Sequence, residues 1–120
     1  MTTRVKYDLE ERTLQFGVGV VKHCARLRQP AVRSIVDQVI RSATSVGANY
    51  VEANNASSKL DFRNKIFIAK KEASETRYWL QLLERLGDTS PELLDLQKEV
   101  QELIMVLQKI VSSLKKKSEN

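Results

Sequence analysis

The chain has 120 residues, 42% of them hydrophobic, with four glycines, two prolines and one cysteine. That is material for one core built from long helices with short joints. It leaves Cys24 no partner for an internal disulfide, and no apolar run approaches the roughly 20 residues of a bilayer span. The formal net charge is +5, mild for a nucleic-acid binder but compatible with a polyanionic partner.

The first residues, Met1 to Asp8, lack the apolar stretch of a secretion signal. With the single cysteine, this makes a reduced, cytoplasmic setting the expectation. Asp8 and Glu11 have capping-box spacing, so a first helix is predicted over 8–28 after a frayed start. Its apolar stripe is Leu9, Thr13, Phe16, Val20, Cys24 and Leu27. Gln29-Pro30 ends it, because proline disfavours helix in the residue before it. A second helix is predicted over 31–54, with stripe Val32, Val36, Val39, Ala43, Val46, Tyr50 and Ala53. Small residues from Ser42 to Ala48 imply a close crossing, and a polar row of Ser42, Ser45, Asn49 and Glu52 runs beside the stripe.

Asn54 to Ser58 forms a turn, and Ser58 with Asp61 repeats the capping spacing. The third helix, over 59–86, has stripe Phe62, Ile66, Ala69, Ala73, Thr76, Leu80 and Leu83. Phe67, Tyr78, Trp79 and Leu82 lie off that stripe and are the candidate oligomer interface. Gly87 suits the residue after a helix end, and Asp88 to Glu92 supplies cap, first-turn proline and first-turn acid for a fourth helix over 91–117. Its stripe is Leu93, Leu96, Val100, Leu103, Leu107, Ile110 and Leu114. Lys115 to Lys117 complement the dipole at its end, and the last three residues are expected to fray. Four long helices with short turns make an all-α, up-down-up-down antiparallel four-helix bundle, one domain over 1–120.

No catalytic constellation stands out. A carboxylate-bridged di-metal centre needs Glu-x-x-His on two helices. The chain has one histidine, His23, so Glu52, Glu72 and Glu75 are read as paired or solvated, and no metal or cofactor is expected. His23 and Cys24 are neighbours about 100° apart on a helix and cannot face each other. Cys24 belongs to the core stripe, and His23 is expected to flank it. Folding the second helix back on the third brings Arg41 level with Glu72. An inter-helix polar network of Arg41, Ser42, Ser45, Asn49, Glu52, Glu72 and Glu75 is therefore predicted, chiefly to set helix register.

Charge points to two basic rows. The four successive thirty-residue blocks carry six bases against three acids, three against two, six against five and five against five. Arg63, Lys70 and Arg77 recur every seven residues along one line of the third helix, and Lys22 with Arg26 makes a shorter pair on the first. These five are the candidate nucleic-acid-binding residues. Acids nearby and no evident exposed aromatic platform favour a solvated face instead.

The run from Arg41 to Ala53 reads Arg-Ser-Ala-Thr-Ser-Val-Gly-Ala-Asn-Tyr-Val-Glu-Ala. It continues through Ser58, Asp61-Phe62, Lys65, Ile68-Ala69, Lys71-Glu72-Ala73, Glu75-Thr76 and Tyr78-Trp79-Leu80, then Leu82-Leu83. This pattern resembles the small four-helix bundle proteins encoded in intervening sequences of bacterial large-subunit (23S) ribosomal RNA genes. The resemblance implies the bundle fold, a ring-like homo-oligomer of five copies, and no enzyme activity. A related branch binds a reverse transcriptase and nucleic acid through basic surface. The function expected is therefore a non-enzymatic homo-oligomer binding RNA or a ribonucleoprotein, without membrane or small-molecule substrate. The alternative is a protein-binding scaffold with no nucleic-acid role.

Overall fold

The computed structural model describes residues 3–27 and 29–119, with side chains from 8 to 27 and from 29 to 114. Four helices follow one another: α1 (Thr3–Cys24), α2 (Arg33–Asn54), α3 (Lys59–Arg85) and α4 (Pro91–Glu119). Among the described residues there is no strand. The joints are short enough that successive helices run antiparallel. Each helix packs along the next, and α1 closes the square on α4. The result is the four-helix bundle expected, a rod of 51 × 23 × 22 Å.

The predicted stripes meet inside. Phe16, Val20, Val39, Val46, Tyr50, Ile66, Leu80, Val100, Leu103 and Leu107 are buried in one continuous core. Leu27, Val32, Phe62, Leu96 and Ile110, at the edges of the stripes, pack against it only partly buried. Small residues set the closest approach. A methyl group placed on Gly47 would stand 3.1 Å from Thr13 Oγ1, so α1 and α2 cross there with little between them. Thr13 is buried at this crossing and donates to the carbonyls of Leu9 and Glu10. The hydroxyl is thus satisfied within its own helix.

Helix ends depart from the sequence-based bounds in instructive ways. The first helix begins at Thr3, so Asp8 lies inside it rather than at its start. It ends at Cys24, where Arg26 N–H and Leu27 N–H turn back to the His23 and Cys24 carbonyls. Pro30 opens a single 3₁₀ turn, Pro30–Val32, before α2 begins. Ser58 caps α3 by accepting from the Asp61 N–H at 3.0 Å, as its spacing suggests. Gly87 takes φ 113°, the left-handed region that glycine enters freely, and lets the chain turn into α4. The backbone of α4 stays helical to Glu119 rather than fraying after 117. The side chains of Lys115 to Lys117 lie outside the described residues.

Candidate nucleic-acid interface

Where each charge finds its partner distinguishes the faces of the bundle. On the α1–α4 seam, Arg12 donates to Glu99 at 2.6 Å and to Glu102 at 3.0 Å. On the α2–α3 seam, Arg41 reaches Glu72 at 3.2 Å and also bonds Glu75, while Lys65 meets Glu52 at 3.0 Å. These pairs set bases against acids along two sides of the rod.

The α3–α4 seam is different. Arg63, Lys70 and Arg77 lie half-buried along it. None of the three forms an ion pair with a described residue. Arg63 sits over the Phe67 ring, 5.6 Å from its centre, and Arg77 donates to the neutral side chain of Gln101 at 2.9 Å. Arg63 and Arg77 are thus held in place, and no described acid pairs with any of the three. Beside the row, on the outer face of α3, Phe67 and Tyr78 are 42% and 58% exposed. Both residues lie off the apolar stripe in residue order, and the helix pitch turns them outward opposite it, supplying beside the bases the aromatic platform that was not evident from the sequence. Tyr78 is steadied edge-on against Trp79, ring centres 5.2 Å apart. Trp79 and Leu82, the other two interface candidates, are only half exposed. Trp79 spends its indole N–H on Glu75 at 3.0 Å.

The second basic pair is weaker. Lys22, in the last turn of α1, and Arg26, just past its end, are exposed, but Arg26 lies 3.6 Å from Glu92. The structure therefore brings Arg63, Lys70 and Arg77 together on one side and leaves Lys22 and Arg26 apart from them at the C-terminal end of α1.

The polar residues of α2 divide into a buried bond and local ones. Ser42 is fully buried and accepts a hydrogen bond from the Thr76 hydroxyl at 2.8 Å, linking α2 to α3 inside the core. Ser45 bonds the Arg41 carbonyl and Asn49 the Ser45 carbonyl, so both turn back on their own helix. Glu52 belongs to the separate pair with Lys65. The link through Thr76 was missed because that residue reads as part of the apolar stripe.

His23 is the clearest correction. It is buried rather than flanking, and its Nε2 lies 2.6 Å from Asp88 in the α3–α4 turn. An ionised carboxylate can only accept, so Nε2 carries the proton, and Nδ1 is left buried without a partner. Asp88 also accepts from the backbone N–H and hydroxyl of Ser90. Burial pushes the Asp88 carboxyl up, but the bonds from Ser90 and His23 outweigh it and hold the group below the ordinary carboxylate range. A depressed folded-state value means that stability is fully present above about pH 4 and is lost as pH falls through the lower folded value. Asp88→Asn is expected to lower stability at neutral pH by about 1–3 kcal/mol and to flatten its fall below pH 4. Denaturant unfolding at several pH values checks both.

This pair does not activate Cys24. Burial, helped by the Asp88 charge, pushes the thiol up to about 11, so it is protonated at neutral pH and a poor nucleophile. Among the described residues no cluster of three or more His, Cys, Asp and Glu is placed to hold a metal ion. No described helix is long and apolar enough to cross a membrane.

Comparison with known proteins adds a relationship to this geometry. The family profile described as 23S rRNA-intervening sequence protein matches residues 6–109. Among solved structures, the bundle is similar to a protein of unknown function from the S23 ribosomal protein family of Bacteroides thetaiotaomicron, with 35% identity and a TM-score of 0.79. The match covers 86% of this chain and 97% of that one. No curated protein matches the chain.

Proposed function

This chain belongs to the 23S rRNA-intervening sequence protein family, and on that premise we propose that it is a non-enzymatic, homo-oligomeric bundle that binds RNA or a ribonucleoprotein through the α3–α4 face. The observation that carries the reading is the row of Arg63, Lys70 and Arg77, paired with no described acid, beside the exposed rings of Phe67 and Tyr78. Bases at every second turn of a helix follow a phosphate backbone, and the rings offer faces on which unpaired bases stack. Five copies, the number implied by the resemblance, would multiply a weak patch through avidity.

The test is to purify the chain, recover bound nucleic acid and weigh the particle by light scattering. Nuclease-sensitive RNA on an oligomer supports the reading; a nucleic-acid-free chain that binds no structured RNA at low salt refutes it. Tyr78→Ala separates stacking from charge. It is expected to weaken RNA binding by about 1–3 kcal/mol with little change in the salt dependence. Titration of labelled RNA at two salt concentrations measures both.

A second reading, a scaffold that binds only proteins, is favoured by one observation. The bundle carries an open apolar groove between α1 and α2, on the side away from α3 and α4. Apolar association would hold as salt rises, whereas RNA binding would not.

A further inference from the structure

Helical spacing sorts the residues of α3 into faces. Phe67, Lys70, Ser74, Tyr78, Gln81 and Arg85 follow one another at steps of three and four, so they share one strip turned away from the buried stripe. Lys71, exposed, stands beside Lys70. The acids of α3 are spent elsewhere. Asp61 lies in the first turn, Glu72 and Glu75 turn to Arg41 on α2, and Glu84 accepts from Gln97 on α4 at 2.9 Å. The strip itself therefore offers bases and rings to a partner and no carboxylate, which is the complement of a polyanion.

Between Tyr78 and Arg85 the strip dips into a hollow of about 350 Å³, lined also by Gln81, Leu82 and Glu84. Ligand sites run from roughly 300 to 1,000 Å³, so this one suits a single flat group and not a stack of them. Its walls have the chemistry for a nucleobase. The edge-on contact with Trp79 occupies at most one face of the Tyr78 ring, and the exposed ring keeps the other open. Arg85 stands seven residues on, two turns further along the same side, and a planar guanidinium stacks on the opposite face of a base. Gln81 brings an amide, both donor and acceptor, to the base edge. Phe67 is less available, because Arg63 already lies over its ring. A duplex has nothing to place in this hollow, since its base faces are hidden in the stack.

We propose that the hollow between Tyr78 and Arg85 takes one unpaired base of an RNA strand that runs along α3 with its phosphates on Arg63, Lys70, Lys71 and Arg77. The proposal rests on the reading of this face as the RNA site, and it names the part of the RNA that binds: a loop, bulge or tail rather than a helix. From Arg63 to Arg85 the helix rises about 33 Å. At about 3.4 Å for each stacked nucleotide, that length holds at most about ten of them.

The test uses the full chain and two RNAs of about ten nucleotides per strand, an oligouridylate and a blunt duplex. Charge alone favours the duplex, whose phosphates are denser, so a preference for the single strand reports the base. The single strand should bind at least about tenfold more tightly, and should quench Trp79, the one tryptophan, whose ring centre is 5.2 Å from that of Tyr78. Tyr78→Ala should lower its affinity by about five- to 150-fold and leave the duplex unaffected, while Tyr78→Phe, which keeps the ring, should bind like the parent. Arg85 also sits in the last turn of α3, where any cation complements the helix dipole. Arg85→Lys keeps that charge but loses the plane, so it should bind the single strand as poorly as Arg85→Ala. Equal affinity for the two RNAs, or a Tyr78→Ala or Arg85→Lys chain that binds the single strand like the parent, overturns the base site and leaves the basic row standing. A Tyr78→Ala chain whose particle mass changes in light scattering places this face between copies and overturns the base site too. Binding of neither RNA refutes the RNA reading itself, and the base site with it.

Discussion

Replacing Arg63, Lys70 and Arg77 together by glutamate is expected to cut the affinity for structured RNA by at least about 100-fold at moderate salt. Each base lost from a phosphate contact at this half-exposed seam is worth about 1 kcal/mol, and three such losses exceed a hundredfold. The glutamates then add repulsion. Their effect on the fold should be small, because none of the three bases holds an ion pair in the described structure and surface changes of this kind stay within about 0.5 kcal/mol. Helical content by circular dichroism should therefore match the parent while the RNA titration collapses. An unchanged affinity would mean that this row is not the site, whatever else the bundle binds.

The largest stability effect is expected from the core side of the same helix. Leu80 is fully buried within the core. Leu80→Ala removes apolar contacts and leaves a cavity that long, close-packed helices cannot easily close, a loss of about 2–5 kcal/mol. Against the roughly 5–15 kcal/mol of a typical domain, that is a large fraction of the total. Denaturant unfolding should show a lower midpoint with a similar slope. Because any self-association would add to stability, the comparison needs equal protein concentrations. A change below about 1 kcal/mol would mean that α3 is not packed as described.

The contrast between these two faces of α3 shows what was readable from residue order. Ile66, Ala69, Ala73, Thr76, Leu80 and Leu83 recur at helical spacing, and all six are buried. Periodicity is local, so the stripes and the bundle were legible. The ends of α1 were less so. Asp8 and Glu11 have the spacing of a cap, but a capping signal says only that a helix can start there, and this one starts a turn earlier. His23 was not legible at all. Its burial depends on Asp88, 65 positions away, which reaches it only once Gly87 has turned the chain between α3 and α4.

The exposed apolar residues show the same limit from the other side. Phe67 and Trp79 both lie off the α3 stripe, yet Phe67 stays open while Trp79 is drawn in by its bond to Glu75. Leu14, Val18 and Val21 escaped notice because they stand beside a good core stripe and look like its margin. Only the placement of α2 reveals that they line a groove. The Arg41 contacts with Glu72 and Glu75 needed just the fold-back of two neighbouring helices, and residue spacing anticipates that geometry. Which bases remain without an acidic partner required every seam of the bundle at once.

Binding of the parent chain to a structured RNA, measured across a salt series, tests the central claim most directly. Three phosphate contacts per chain predict that the logarithm of affinity falls with the logarithm of salt at a slope of about −2 to −3, steeper if several copies engage one RNA. A flat dependence, or binding that strengthens as salt rises, would contradict the account and assign this surface to apolar association.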